Sequence, residues 1–265
     1  AMELRLWRAV ERQQDEQDTD KARRRGIDGG ALWLLLLALP MLLFLLVPLL
    51  ALLLRIPLPS LLQNLGSREV AQAVSLSLTT TAVSLSLSVV LGTPLAYLLA
   101  RRDFRGRQVI DTLIDLPMVL PPAVAGVALL MAFGRRGLIG AYLDAWGVSL
   151  AFTSAAVVLA QVFVAAPFYI KAAVAGFEGV ERELEQAAAI DGAGRRRIFR
   201  HITAPLAWPS LLGGAVMTWA RALGEFGATI IFAGNFPGRT QTMPLAIYLG
   251  LELDLSTAVT LSVIL

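Results

Sequence analysis

Cysteine is absent from the 265 residues, which removes disulfides, thiolate metal sites and cysteine nucleophiles together. Histidine occurs once, as His201, inside a run of arginines. A zinc site or an imidazole acid–base pair therefore has little to build on, and a solvated loop histidine is the plain expectation. No Gly-rich stretch ends in Lys-Ser or Lys-Thr, so the chain has no phosphate-cradling loop, and any ATP hydrolysis tied to it must come from another polypeptide. Charge is scarce as well. Charged residues make up 16% against 56% hydrophobic, and the mean hydropathy is +0.67, far from the soluble average and expected of an integral membrane protein.

The apolar residues lie in long runs. Ala31 to Leu54, Val70 to Ala100 and Ala145 to Ile170 carry no charge, and each exceeds the roughly 20 residues a helix needs to cross hydrocarbon. Leu116 to Phe133 and Ile202 to Ala220 are near that minimum, and Leu255 to Leu265 is too short to span. The expectation is an all-α, polytopic bundle of about six transmembrane helices with the last incomplete. Residues 1–30 form a charged extension and residues 31–265 the membrane domain. The first apolar run is about twice as long as a signal-peptide core and is expected to stay as an anchor.

Orientation follows from Lys and Arg. With the N-terminus cytoplasmic, the inside segments hold the basic residues of the head, then Arg101, Arg102, Arg105 and Arg107, then Arg182, Arg195, Arg196, Arg197 and Arg200. The outside loops keep only Arg55, Arg68, Arg135, Arg136 and Arg239. Period-two alternation at Ser75 to Leu78 and Ser84 to Val89 imitates a barrel strand. The uncharged length up to Gly92 fits one helix instead, whose hydroxyls either bond back to their own carbonyls or face a neighbour or a wet path. Pro117, Pro121 and Pro122 mark a bend in the third helix packed against protein, either a fixed kink or a gate hinge.

The most informative polar stretch is Glu181 to Pro205, ERELEQAAAIDGAGRRRIFRHITAP. Glu181, Glu183 and Glu185 come first and the arginines last, complementing the dipole of a short helix that begins near Glu181, and Gly192 and Gly194 end or turn it. Between them Ala187, Ala188 and Ala189 are too small to hold another surface away. Pro205 opens the next helix where its missing N–H costs little.

This stretch resembles the cytoplasmic signature loop of ATP-binding-cassette importer permeases: Glu-Ala-Ala, three residues, Gly, nine residues, Ile-x-Leu-Pro. The match runs through Ala187, Ala188, Gly192, Ile202 and Pro205. Gln186 stands where the pattern has Glu, with Glu185 one residue earlier, and Ala204 where it has Leu. The resemblance implies a type I importer permease fold and a coupling loop, 176–205, that docks to an ATPase through Glu185, Gln186, Ala187, Ala188, Asp191, Gly192, Ile202 and Pro205. It also implies a second permease chain, expected as a homodimer, two ATPase subunits that use ATP and magnesium, and an extracytoplasmic binding protein. The chain itself is expected to bind no cofactor, metal or nucleic acid, and to be a lipid-embedded multi-pass protein of a bacterial or archaeal cytoplasmic membrane.

A second stretch, Arg221 to Leu251, is similar to the molybdate and tungstate branch of the oxyanion importer permeases, through Gly224-Glu225-Phe226-Gly227-Ala228-Thr229 and Asn235 to Thr242 followed by Pro244. Sulfate permeases share the Gly-Glu-Phe-Gly part, so sulfate or thiosulfate is the alternative substrate. Arg221 and Glu225, four apart, share a helix face and are within pairing reach, as a structural pair or as part of the path. Thr229, Asn235, Arg239, Thr240 and Thr242 complete the candidate path or outer gate. Arg239 with Thr240, Gln241 and Thr242 either receives the anion at the outer mouth or docks the binding protein. A secondary transporter would need an ion site in mid-membrane, where the main spans lack ionisable residues, and a membrane enzyme has no catalytic set to build on.

Overall fold

The computed structural model describes residues 29–54 and 58–265, so the charged head up to residue 28 and Arg55 lie outside the described residues. The chain divides into two units at Arg55. The first contains one helix, α1 (Gly29–Leu54), with Pro40 and Pro48 inside it. Its Trp33–Leu54 part has a mean hydropathy of 2.8 and no buried residue.

The second unit is helical throughout its regular structure. A short α2 (Leu58–Leu65) leads into α3 (Arg68–Arg101), 34 residues capped by the Ser67 hydroxyl. The strand-like alternation is thus helical, and its hydroxyls take both expected roles. Thr79, Thr80, Ser86, Ser88 and Thr93 donate to carbonyls four residues back. Ser84 instead donates to Gln161 Oε1 at 2.9 Å, and Ser77 accepts the Met243 N–H at 2.7 Å. Val70, Ala73, Ser77, Thr81, Ser84, Ser88, Gly92 and Ala96 are all buried. Their spacing of three to four residues makes a small-residue stripe that lets another backbone approach closely, which is how helices associate where no hydrophobic driving force acts.

The expected third span, Leu116 to Phe133, is instead two helices, α4 (Arg107–Val119) and α5 (Pro122–Phe133), bent by 118°. Pro121 and Pro122 supply no N–H to the preceding turn, so the helix cannot continue, and Pro122 restarts it at a first-turn position. The bend is packed, as anticipated: a Cβ on Gly126 would lie 2.8 Å from Ile231 Cβ and 2.9 Å from the Ala228 carbonyl oxygen. After α6 (Gly140–Ala145) the next span, α7 (Ser154–Glu178), begins nine residues later than the uncharged run Ala145 to Ile170 suggested, because the Thr153 hydroxyl caps it by accepting from Ala156 N–H. Lys171, the first charged residue after the uncharged run, therefore lies inside α7, held by Asp111 at 2.8 Å and Asp115 at 2.9 Å from α4.

Next come α8 (Arg182–Ile190), α9 (Arg195–Ile198), a π-helical turn (Phe199–Thr203) and α10 (Ala204–Leu223). From Arg195 to Leu223 the helix is unbroken. The wide turn falls just before Pro205, where a carbonyl loses its usual donor, and Ala204 N–H reaches back five residues to Phe199 O. Then α11 (Gly227–Phe232), α12 (Met243–Leu253) and α13 (Leu255–Ile264) follow. The expected sixth helix is α13, and α12 before it is an apolar helix that falls at the end of the stretch Arg221 to Leu251 and was not expected as a helix. The core is centred on α7, which contacts α3 and α10 most extensively. Tyr169, Ala173 and Phe177 of α7 meet Ala96 and Leu99 of α3 and Ala207 and Leu211 of α10.

Candidate functional site

The loop 176–205 begins in the last turn of α7 and ends in the first residues of α10, with α8 between them. No residue of α8 is buried. Leu184 is 44% exposed and Ile190 87%. A helix that leaves such side chains to water has an unfilled partner face. It ends as the sequence predicts: Gly192 adopts φ +82°, a left-handed conformation that glycine tolerates.

The sequence-predicted docking residues separate onto two faces. Arg182, Glu185, Gln186 and Ala189 recur at helical spacing and line a groove of about 830 Å³ that reaches back to Val89, Thr93, Tyr97 and Arg101 of α3. Ala187 and Asp191 lie on the opposite side of the helix, with Ala188 at its flank and Gly192 just beyond. Ile202 is half-buried in the π turn and Pro205 is exposed in the first turn of α10.

Glu185 is turned inward. Its Oε1 accepts from Arg101 Nη2 at 3.1 Å and from the Thr203 hydroxyl at 2.5 Å. Arg101 Nη2 also donates to the Val180 carbonyl at 3.0 Å. One guanidinium thus clasps both ends of the 180–185 turn, and one carboxylate joins α8 to the ends of α3 and of the π turn. Arg101 was counted in the sequence only as positive charge, because its partner lies 84 residues away.

In the second stretch, Arg221 Nη1 and Glu225 Oε2 are 2.7 Å apart, an ionic contact without hydrogen-bond geometry. Glu225 is 1% exposed, and its Oε1 accepts the Ala228 N–H at 2.8 Å, capping α11. The buried Glu225 carboxylate thus has both a cation and a donor, which a buried charge needs. The loop 235–242 is knotted on itself. The N–H groups of Arg239, Thr240 and Gln241 converge on Phe236 O, and Phe236 N–H donates to Thr240 Oγ1. The fold holds this knot in place: Ser154 donates to Arg239 O at 2.7 Å while the Arg239 residue stays exposed.

Among the described residues, the buried side-chain atoms without a hydrogen-bond partner are Arg101 Nε, Glu225 Oε2, Thr229 Oγ1, Asn235 Oδ1 and Thr242 Oγ1. All but the first lie on residues singled out for the path. Glu225 Oε2 is held by the Arg221 cation, and unpartnered neutral atoms such as those of Thr229, Asn235 and Thr242 cost roughly 1–3 kcal/mol each, so their gathering in one stretch is a feature that packing alone does not favour. Sequence reasoning missed Gln161, which is buried and ties Thr81 and Ser84 of α3 to α7, and the Lys171–Asp111–Asp115 triad. Asp111 and Asp115, four apart, already shared one helix face. Among the described residues no cluster of three His, Cys, Asp or Glu side chains is arranged for a metal ion.

Comparison with known proteins agrees with this architecture. The chain is 49% identical over 179 residues to the molybdenum transport system permease protein ModB of Mycobacterium tuberculosis, covering 67% of each chain. It is 46% identical over 162 residues to the Escherichia coli protein of the same name, covering 61% of this chain and 71% of that one. Its fold matches a bacterial alginate ABC transporter, solved in complex with an alginate pentasaccharide-bound periplasmic protein, with a TM-score of 0.67 at 19% identity, over 91% of this chain and 90% of that chain. The bent, multi-helix membrane domain is therefore an ABC importer permease fold. The family of binding-protein-dependent transport system inner membrane components matches residues 92–265, well over half of the sequence, and the chain belongs to that family.

Proposed function

We propose that this chain is the membrane-spanning permease subunit of an ATP-driven importer of molybdate, working with a separate ATPase and an extracytoplasmic binding protein. The observation that carries the substrate is the identity of 46–49% to molybdenum transport permeases of two distant bacteria. The exposed face of α8, with Leu184, Ala187, Ile190 and Asp191, is the surface offered to the ATPase, and Gly192 lets the chain turn sharply behind it. The excess of Lys and Arg in the charged head, at Arg101 to Arg107 and in the α8–α9 loop supports a cytoplasmic placement of that face and of the N-terminus.

A tetrahedral dianion must pass without being held, since a tight site in the path would block release. Selectivity then belongs mainly to the binding protein, and this chain supplies the gate. Arg239, exposed on the rigid 235–242 knot, presents a cation to the incoming anion or to the protein that carries it. Thr229, Asn235 and Thr242 hold buried donor or acceptor atoms without a protein partner, polar groups that an opened gate would offer to a hydrated anion without strong binding. Proteoliposomes test this. The chain alone is expected to show no ATP-dependent uptake. With its ATPase and binding protein it should take up molybdate, with tungstate competing strongly and sulfate weakly. Equal uptake of sulfate at equal concentration would overturn the substrate, and uptake by the chain alone down a proton or sodium gradient would overturn the permease role.

A further inference from the structure

The groove behind α8 has a composition that the ATPase-facing surface does not explain. Five arginines line it, Arg101, Arg102, Arg182, Arg195 and Arg196, against the single carboxylate of Glu185. That carboxylate is already engaged by Arg101 and Thr203. Among the described residues none of the other four arginines has a carboxylate within ion-pairing distance. Arg101 is 8% exposed at its side chain, and its Nε is buried with no acceptor among the described residues. Clustered guanidinium groups left unpaired repel one another and present forked donors suited to phosphate oxygens.

The far end of the groove, along α3, is mainly apolar. Val89, Val90 and Pro94 line the groove from within the membrane-crossing length of α3. Val89 lies about 18 Å along the helix from Arg101. The groove volume of about 830 Å³ is several times that of a free tetrahedral oxyanion, which is on the order of 100 Å³, a few waters' worth. A partner protein outside the bilayer reaches only the arginine end. A molecule that fills both ends has a phosphate at the helix terminus and a hydrocarbon chain along the membrane-embedded wall.

We infer that the groove between the Arg101 end of α3 and α8–α9 binds an anionic phospholipid, its phosphate on Arg102, Arg195 and Arg196 and an acyl chain against Val89, Val90 and Pro94. Because Arg182, Glu185, Gln186 and Ala189 share this groove while Ala187 and Asp191 face away, the lipid would sit behind the coupling helix and brace it. This inference is independent of which anion is transported.

The test uses the full chain, purified in detergent and mixed with equal amounts of phosphatidylglycerol and phosphatidylcholine, with bound lipid counted by native mass spectrometry. Phosphatidylglycerol is expected to be retained over phosphatidylcholine by about tenfold or more, the scale of one lost charge-assisted contact. The double variant Arg102→Gln/Arg196→Gln should bring the ratio near one, and Arg197→Gln/Arg200→Gln, the same charge change outside this groove, should leave it unchanged. Equal retention of the two lipids, or equal loss in both variants, would overturn the site. Displacement of the lipid by millimolar phosphate or molybdate would overturn the lipid assignment in favour of a free oxyanion. None of these outcomes bears on the uptake experiment.

Discussion

Removing the Glu185 carboxylate is expected to uncouple α8 from the membrane helices. In Glu185→Ala, Arg101 loses the acceptor at 3.1 Å and Thr203 the acceptor at 2.5 Å. A hydrogen bond to a charged group contributes roughly 1.5–3 kcal/mol. An exposed ion pair contributes about 0–1 kcal/mol, whereas breaking a buried one costs about 3–5 kcal/mol. With side-chain exposures of 8% for Arg101 and 17% for Glu185, the site lies nearer the buried limit, and a loss of about 3 kcal/mol follows. At about 1.4 kcal/mol per tenfold, the seated orientation of α8 falls by roughly two orders of magnitude relative to displaced ones. The assay is ATP-driven uptake in proteoliposomes beside thermal unfolding of the purified chain. Uptake should collapse while the remaining helices stay folded. A double-mutant cycle with Arg101→Ala should give a coupling of about 1–3 kcal/mol. Additive losses, or wild-type uptake by Glu185→Ala, would refute the clasp.

Gly126→Leu is expected to lower stability by about 1–3 kcal/mol through overpacking, because its side chain meets Cβ and backbone atoms of α11 at 2.8–3.0 Å that cannot swing away. Thermal unfolding measures this, and an unchanged midpoint would mean the bend is loosely packed. Arg239→Glu should slow uptake, and the slowing should shrink as ionic strength rises from about 10 mM to 100 mM, over which the Debye length falls from about 30 to about 10 Å. Uptake at the wild-type rate in low salt would remove Arg239 from the path.

Local features were legible because they depend on neighbours in sequence. The helical reading of α3 held since its uncharged length outweighed a period-two pattern, and α8 held at its acidic start and its glycine turn, whereas the arginines expected at its end lie beyond it and open α9. The Arg221–Glu225 pair followed from spacing alone. What escaped were contacts between distant residues: Arg101 with Glu185, Gln161 with Ser84, Lys171 with two aspartates of α4. The angle of the break at Pro121 was equally hidden, because proline shows where a helix stops while the surface it packs on decides where the next one points. Thr153 moved the start of α7 by nine residues for a related reason. An uncharged run records what the membrane tolerates, and the cap decides where the helix begins.

These contacts form one connected route. Arg101 and Glu185 tie α8 to α3, and Thr203 ties it to the π turn from which α10 continues without interruption. Both α3 and α10 pack on α7, with Gly214 close against Ala172 and Gly92 against Tyr169 and Ile170. At the far end of α10, Arg221 meets the buried Glu225 that caps α11, and α11 packs directly on the Pro122 helix through Gly126 and Gly227. A rigid helix with one weak turn transmits a push at its end better than it absorbs one along its length, and a π turn is where a register change is least costly. A displacement of α8 therefore has a continuous packed path to the bend at Pro121, through side chains too close to slip. Whether energy travels along it is a coupling question, and a cycle pairing Glu185→Ala with Gly126→Leu measures it. Non-additivity in uptake, with additivity in thermal unfolding, is the result expected of a mechanical link. Additivity in both would leave the two ends independent.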